Sequence, residues 1–198
     1  MNPAELAARC LIAAGVRTLP VDVRLLLSLT RGTYVFSERQ ALRETDVTPE
    51  ALRALSDEVP AFTCEQLSVN GLKRRVVVYR TDADPVRLRF TLAHEFGHIA
   101  LKHRTAGNAP GLEGAANRFA RLLLMPPPLV RSLARERPVY AEQLCEVFGI
   151  TLSSALRPDL SPVTPAAEAA LCGLLEEAVR RRLPAAVSPR WHRISIPC

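Results

Sequence analysis

The sequence has no run of 18 or more apolar residues, no C-x-x-C pair and no internal repeat. The first absence leaves no candidate for a membrane-spanning helix. Ala7–Val16 is too short to span, Arg9 interrupts it and Arg17 follows it, and Ala4–Ala14 reads instead as an amphipathic helix. The second absence weighs against a disulfide framework or a cysteine-rich zinc site. The five cysteines, Cys10, Cys64, Cys145, Cys172 and Cys198, are odd in number and scattered, so they are expected to be reduced, several of them as small core residues. No secretory signal is apparent, which sets the expectation of a cytoplasmic protein. There is also no obvious amino-terminal DNA-binding module.

What is present describes a globular protein. The 198 residues suffice for one sizeable core, or a main domain with a small satellite. Hydrophobic residues make up 48% and charged residues 23%, an ordinary balance for a soluble chain. The net charge of +6 favours acidic partners weakly, and part of it is local. Arg180, Arg181 and Arg182 close a predicted helix, where cations suit the negative end of the helix dipole.

The stretch with the most chemistry is Arg87 to His103, R-L-R-F-T-L-A-H-E-F-G-H-I-A-L-K-H. It contains His94-Glu95-Phe96-Gly97-His98, an H-E-x-x-H array. On an α-helix, residues four apart lie one turn apart on one face, so both imidazoles can reach one metal ion, and Glu95 can reach a water beside it. The segment has helix signals: Asp84 as N-cap, Pro85 at the first position, no further proline before Pro110, and a broad apolar surface from Phe90 to Leu101. Chance alone produces the pentapeptide in roughly one chain of this length in a hundred, so it requires corroboration.

Around this stretch the chain predicts an α+β fold, mainly helical, with a small antiparallel sheet beside the H-E-x-x-H helix. Residues 3–14 and 22–29 read as helices. Leu6, Cys10 and Ala13 are the expected buried face of the first, and Val23, Leu26 and Leu27, with Val21, that of the second. Thr33–Phe36 is a candidate strand and Pro49–Leu55 a candidate helix capped by Thr48. Phe62–Val69 and Arg74–Arg80 are rich in strand formers, and Asn70-Gly71 between them is a hairpin signal. A strand beside the metal helix could offer its edge to an extended peptide, or merely complete a sheet. Arg104–Gly111 reads as a loop, Leu112–Leu124 as a helix ended by Met125-Pro126, and Tyr140–Leu156 as helix, turn, helix. A last helix runs from Pro165 to Arg182 after the N-cap Thr164, and Leu183–Cys198 has no regular pattern. The expected division is a domain over 1–135, a helix-turn-helix-like unit over 136–183 packed on it, and an irregular tail over 184–198.

A catalytic zinc site normally takes three protein ligands. Two residues compete for the third place. His103 lies five positions beyond His98, about 140° round a continuing helix, and would point away. Glu113 opens the next helix and could fold back beside the first, although a first-turn acid is also favoured by the helix dipole alone.

The two blocks together decide the resemblance. R-L-R-F-T-L-A-H-E-F-G-H-I-A-L-K-H, followed by E-G-A-A-N-R-F-A-R-L-L-L-M-P from Glu113 to Pro126, closely resembles the ImmA/IrrE-type metallopeptidases. The likeness spans roughly residues 5 to 157. It implies that His94, His98 and Glu113 are metal ligands and that Glu95 is the general base. Asn117 falls on the family's asparagine, where it is expected either to support a metal ligand or to pack the helix, packing being favoured. Ala115 stands where relatives often have glutamate.

The resemblance further implies a zinc-dependent endopeptidase, with Mn²⁺ or another divalent ion as an alternative occupant. Its substrate would be a specific intracellular protein, a helix-turn-helix repressor whose cleavage derepresses genes. His103, Tyr79 and Tyr140 are candidate donors to the reaction's oxyanion. The competing reading is a DNA-binding regulator using residues 140–157. Leu144, Val147, Ile150 and Leu156 would pack its inside, and only Ser153, Ser154 and Arg157 would face bases. Neither a membrane partner nor an oligomeric state is indicated.

Overall fold

Asp84 begins the central helix as its sequence suggests: the carboxylate accepts from the Arg87 backbone N–H at 2.8 Å, and Pro85 occupies the first turn. The structure, a computed structural model, describes residues 2–67, 71–103 and 110–196. The hairpin turn expected at Asn70 and most of the loop expected over 104–111 lie outside these residues.

The described elements follow in order: α1 (Pro3–Ala13), α2 (Val23–Ser28), β1 (Thr33–Ser37), α3 (Glu38–Glu44), α4 (Pro49–Leu52), β2 (Ala61–Leu67), β3 (Lys73–Tyr79), α5 (Pro85–Ala100), α6 (Pro110–Leu124), α7 (Pro127–Glu136), β4 (Val139–Tyr140), α8 (Ala141–Phe148), α9 (Leu152–Ala155), α10 (Pro165–Arg182) and β5 (Arg193–Ile194). The fold is α+β, as expected. The chain separates into two compact units, Val23–Asn117, and Met1–Asp22 together with Arg118–Cys198.

In the unit Val23–Asn117, the sheet has the order β1-β3-β2. β2 runs antiparallel to β3, with Phe62 opposite Val78 and Cys64 opposite Val76. β1 runs parallel to β3, with Val35 opposite Val77. The sheet is therefore mixed rather than purely antiparallel. The chain leaving β1 passes through α3 and α4 before it re-enters the sheet, which permits the parallel pairing that a hairpin cannot make. β3 is the central strand, so the edge beside α5 belongs to β2.

Val76, Val77 and Val78 are fully buried, each stabilising by about 1.5–3 kcal/mol relative to exposure. Val76 and Val78 pack with Ala41 and Val47, against Phe36, Leu52 and Phe62. Their neighbour Val77 lies on the opposite sheet face, in register with Val35 and Thr63. α5 packs on β2 and α2 and buries Leu92, Ala93, Phe96 and Ile99, while its Thr91, His94, Glu95 and His98 line a cleft.

The other unit is built round α10, whose Ala167, Leu171, Leu175 and Val179 form one buried stripe. α10 packs on α1 and α7. α1 buries Ala4, Ala7, Ala8 and Leu11, not the expected Leu6, Cys10 and Ala13. Alanine carries little weight in a periodicity reading, yet its small side chain allows close helix–helix approach, and that sets the face. Glu168 ties α10 to α7, accepting from Arg131 at 2.8 Å and from Arg135 at 3.1 Å. β4 pairs with β5, a two-residue strand inside the segment expected to be irregular. α8 ends at Gly149, which is left-handed (φ 62°), and α9 is a single turn capped by Thr151. Leu144, Val147 and Ile150 are buried as expected, whereas Leu156 is exposed.

Candidate metal centre

α5 and the first turns of α6 bring His94, His98 and Glu113 together, with one potential ligand atom of each within 4.8 Å of the others. His94 Nε2 lies 2.9 Å from His98 Nε2. Glu113 offers one carboxylate oxygen to each ring, at 3.2 Å from His94 Nε2 and 3.5 Å from His98 Nε2. Tetrahedral bonds of about 2.0–2.1 Å place neighbouring ligand atoms roughly 3.3–3.4 Å apart, so this triangle has the size that one zinc-class ion requires.

The donor chemistry fits as well. Asn117 Oδ1 lies 3.0 Å from His94 Nδ1. An amide oxygen can only accept, so His94 carries its proton on Nδ1 and presents the Nε2 lone pair to the triangle. Asn117 therefore holds a ring in place, the less favoured of its two expected roles. It sits one turn after Glu113 on α6, which brings its side chain over the same helix.

Burial pushes the His98 imidazole below its usual range, with His94 and His103 adding to the effect and Glu113 opposing it. A neutral imidazole is the form that ligates metal. Glu95 lies on the same stripe of α5 but outside the triangle. Desolvation raises its carboxyl above the usual carboxylate range, and the negative charge of Glu113 adds to this, while His94 and Thr63 pull the other way.

These residues floor a cleft of about 760 Å³. Ala61, Phe62 and Thr63 of β2 form one wall, and Phe90, Ile99 and Leu112 add apolar surface. Of the three expected oxyanion donors, His103 lines the cleft. Tyr79 instead lies under the Arg24 guanidinium, 5.8 Å from ring centre to carbon, and Tyr140 packs near Trp191 in the other unit. His103 is closer to the site than a continuing helix would place it, because α5 stops at Ala100 and the chain turns back.

His94 and His98 on α5 and Glu113 on α6 make a possible metal-binding triad beside a sheet edge, an arrangement consistent with a metallopeptidase-type domain. The model of the IrrE N-terminal-like domain, Peptidase_M78, matches residues 41–157, and the chain belongs to that family. No curated protein matches it. Among the described residues, no helix is long and apolar enough to cross a membrane.

Proposed function

We propose that the protein is a metal-dependent endopeptidase, zinc being the preferred ion, that cuts one specific protein and thereby derepresses genes. The observation that carries the reading is the convergence of His94 Nε2, His98 Nε2 and the Glu113 carboxylate on a triangle of metal-site size, with a desolvated carboxylate, Glu95, one residue along the same helix.

When bound, such an ion supplies Lewis acidity to a peptide carbonyl and to a water. His94, His98 and Glu113 hold it. Glu95 takes the proton from the attacking water on its carboxylate and delivers it to the leaving amine, and its raised proton affinity suits both transfers. The edge of β2 has no strand partner on its outer side among the described residues, so its backbone can hold an extended peptide along the cleft. The substrate assignment, a helix-turn-helix repressor in the cytoplasm, rests on the family resemblance.

The DNA-binding reading is weaker on physical grounds. α9 has four residues, too few to lie along a major groove, and Ser153 and Ser154 are engaged with Thr151 at 3.0 Å. Metal analysis of the purified protein tests the central assignment. One ion per chain is expected, with its loss in His94→Ala; an ion retained in that variant contradicts it.

A further inference from the structure

From the end of α5, we infer that His103 is a positioning residue that holds the His98 ring for metal binding. The inference rests on the ligand set proposed above. His103 Nδ1 lies 3.1 Å from His98 Nδ1, and the two rings meet edge to face, 5.0 Å between centres at 74°. One of these nitrogens must donate and the other accept. His98 can offer Nε2 to a cation only if its proton is on Nδ1, so His98 is the donor and His103 Nδ1 the acceptor. His103 thus does for His98 what Asn117 does for His94. The two arrangements leave both Nε2 lone pairs facing each other at 2.9 Å, which is repulsive unless a cation lies between them.

The backbone explains how a residue five positions on returns to the ring. Leu101 caps the helix, and Lys102 adopts the left-handed conformation at φ 57°. The Lys102 N–H donates to the Ile99 carbonyl at 3.1 Å, and the His103 N–H donates to the His98 carbonyl at 2.9 Å. This pair of bonds is the Schellman termination, which folds the chain back over the last turn. The residue that closes the longer loop is His103, so its ring returns beside the ring of the residue whose carbonyl it caps. The conformation is one that a lysine adopts at a cost, since L-residues other than glycine, asparagine and aspartate rarely occupy it.

The test is Zn²⁺ affinity, measured on the full-length chain by competition with a chromophoric chelator. His103→Asn places an amide oxygen near the Nδ1 position and keeps the acceptor, whereas His103→Leu fills similar space without one. His103→Leu is expected to weaken Zn²⁺ binding 10–100-fold, and His103→Asn to stay within about threefold of wild type. Thermal unfolding of the metal-free proteins should show no difference between the two variants, which separates positioning from folding. Wild-type affinity in His103→Leu, or an equal loss in both variants, overturns the proposal. If wild type binds Zn²⁺ and His94→Ala does not, such a result leaves the ligand set standing. If wild type binds no Zn²⁺, both the ligand set and the role of His103 fall.

Discussion

Replacing Glu113 with alanine removes the single charged donor of the triangle and leaves two neutral imidazoles. Its carboxylate spans both rings, 3.2 Å from one Nε2 and 3.5 Å from the other, so no other described acidic side chain completes the set. Zinc sites at neutral pH release about 10–16 kcal/mol on binding, and an even share among three protein ligands assigns each roughly 3–5 kcal/mol. Glu113→Ala should therefore bind Zn²⁺ about 10²–10⁴-fold more weakly. The loss of affinity also shows in unfolding. At a free Zn²⁺ concentration of about 100 times the wild-type dissociation constant, the ion stabilises wild type by about 2.7 kcal/mol, worth roughly 5–10 °C for a chain of this size. Glu113→Ala should show almost no shift at that concentration. The assay is a chelator-competition titration together with thermal unfolding at fixed free Zn²⁺. An affinity within tenfold of wild type would refute the geometry-based assignment of Glu113.

Two further outcomes concern stability. Lys102→Gly should raise the melting temperature by a few degrees, because glycine occupies the left-handed turn residue without the strain of about 1–2 kcal/mol that a side chain incurs; calorimetry of the metal-free protein checks this. Glu168→Gln should destabilise by about 1–3 kcal/mol at neutral pH, measured by urea unfolding. Burial raises the Glu168 carboxyl, but hydrogen bonds and charge from Arg131, then Arg135, outweigh it and hold the group below its usual range. A depressed folded value means the contribution is complete above the unfolded value of about 4.3 and is lost as pH falls further. The gap between wild type and Glu168→Gln should accordingly close below about pH 4.3, and a gap independent of pH would contradict the ion pair.

Some of this was legible in the sequence because the signals are local. Asp84-Pro85 and Thr164-Pro165 each combine a capping side chain with a proline suited to the first turn, and α5 and α10 begin where those pairs lie. The H-E-x-x-H spacing fixes His94 and His98 on one face once the helix is granted. α3 was missed although Ser37-Glu38-Arg39-Gln40 carries a capping box, seen as Ser37 N–H donating to Gln40 Oε1 at 3.0 Å. Other features have no local signal. The parallel partner of β3 is set by a crossover through α3 and α4, and β5 is two residues long. His103 was placed by extending a 3.6-residue period past Ala100, whereas the chain reverses at Lys102, where no glycine marks the turn. Asn117 reaches His94 only because α6 returns beside α5, so its contact depends on the fold and not on spacing.

The most direct test of the central claim is Glu95→Gln. The substitution keeps size and an acceptor oxygen but cannot take a proton at neutral pH. Purified wild type and Glu95→Gln are assayed for bound metal and for cleavage of a candidate helix-turn-helix repressor, the substrate proposed above. The account predicts equal metal content in both, cleavage by wild type, and a rate at least about 10²–10⁴-fold lower in the variant. A variant that holds its metal and cuts at the wild-type rate would contradict it.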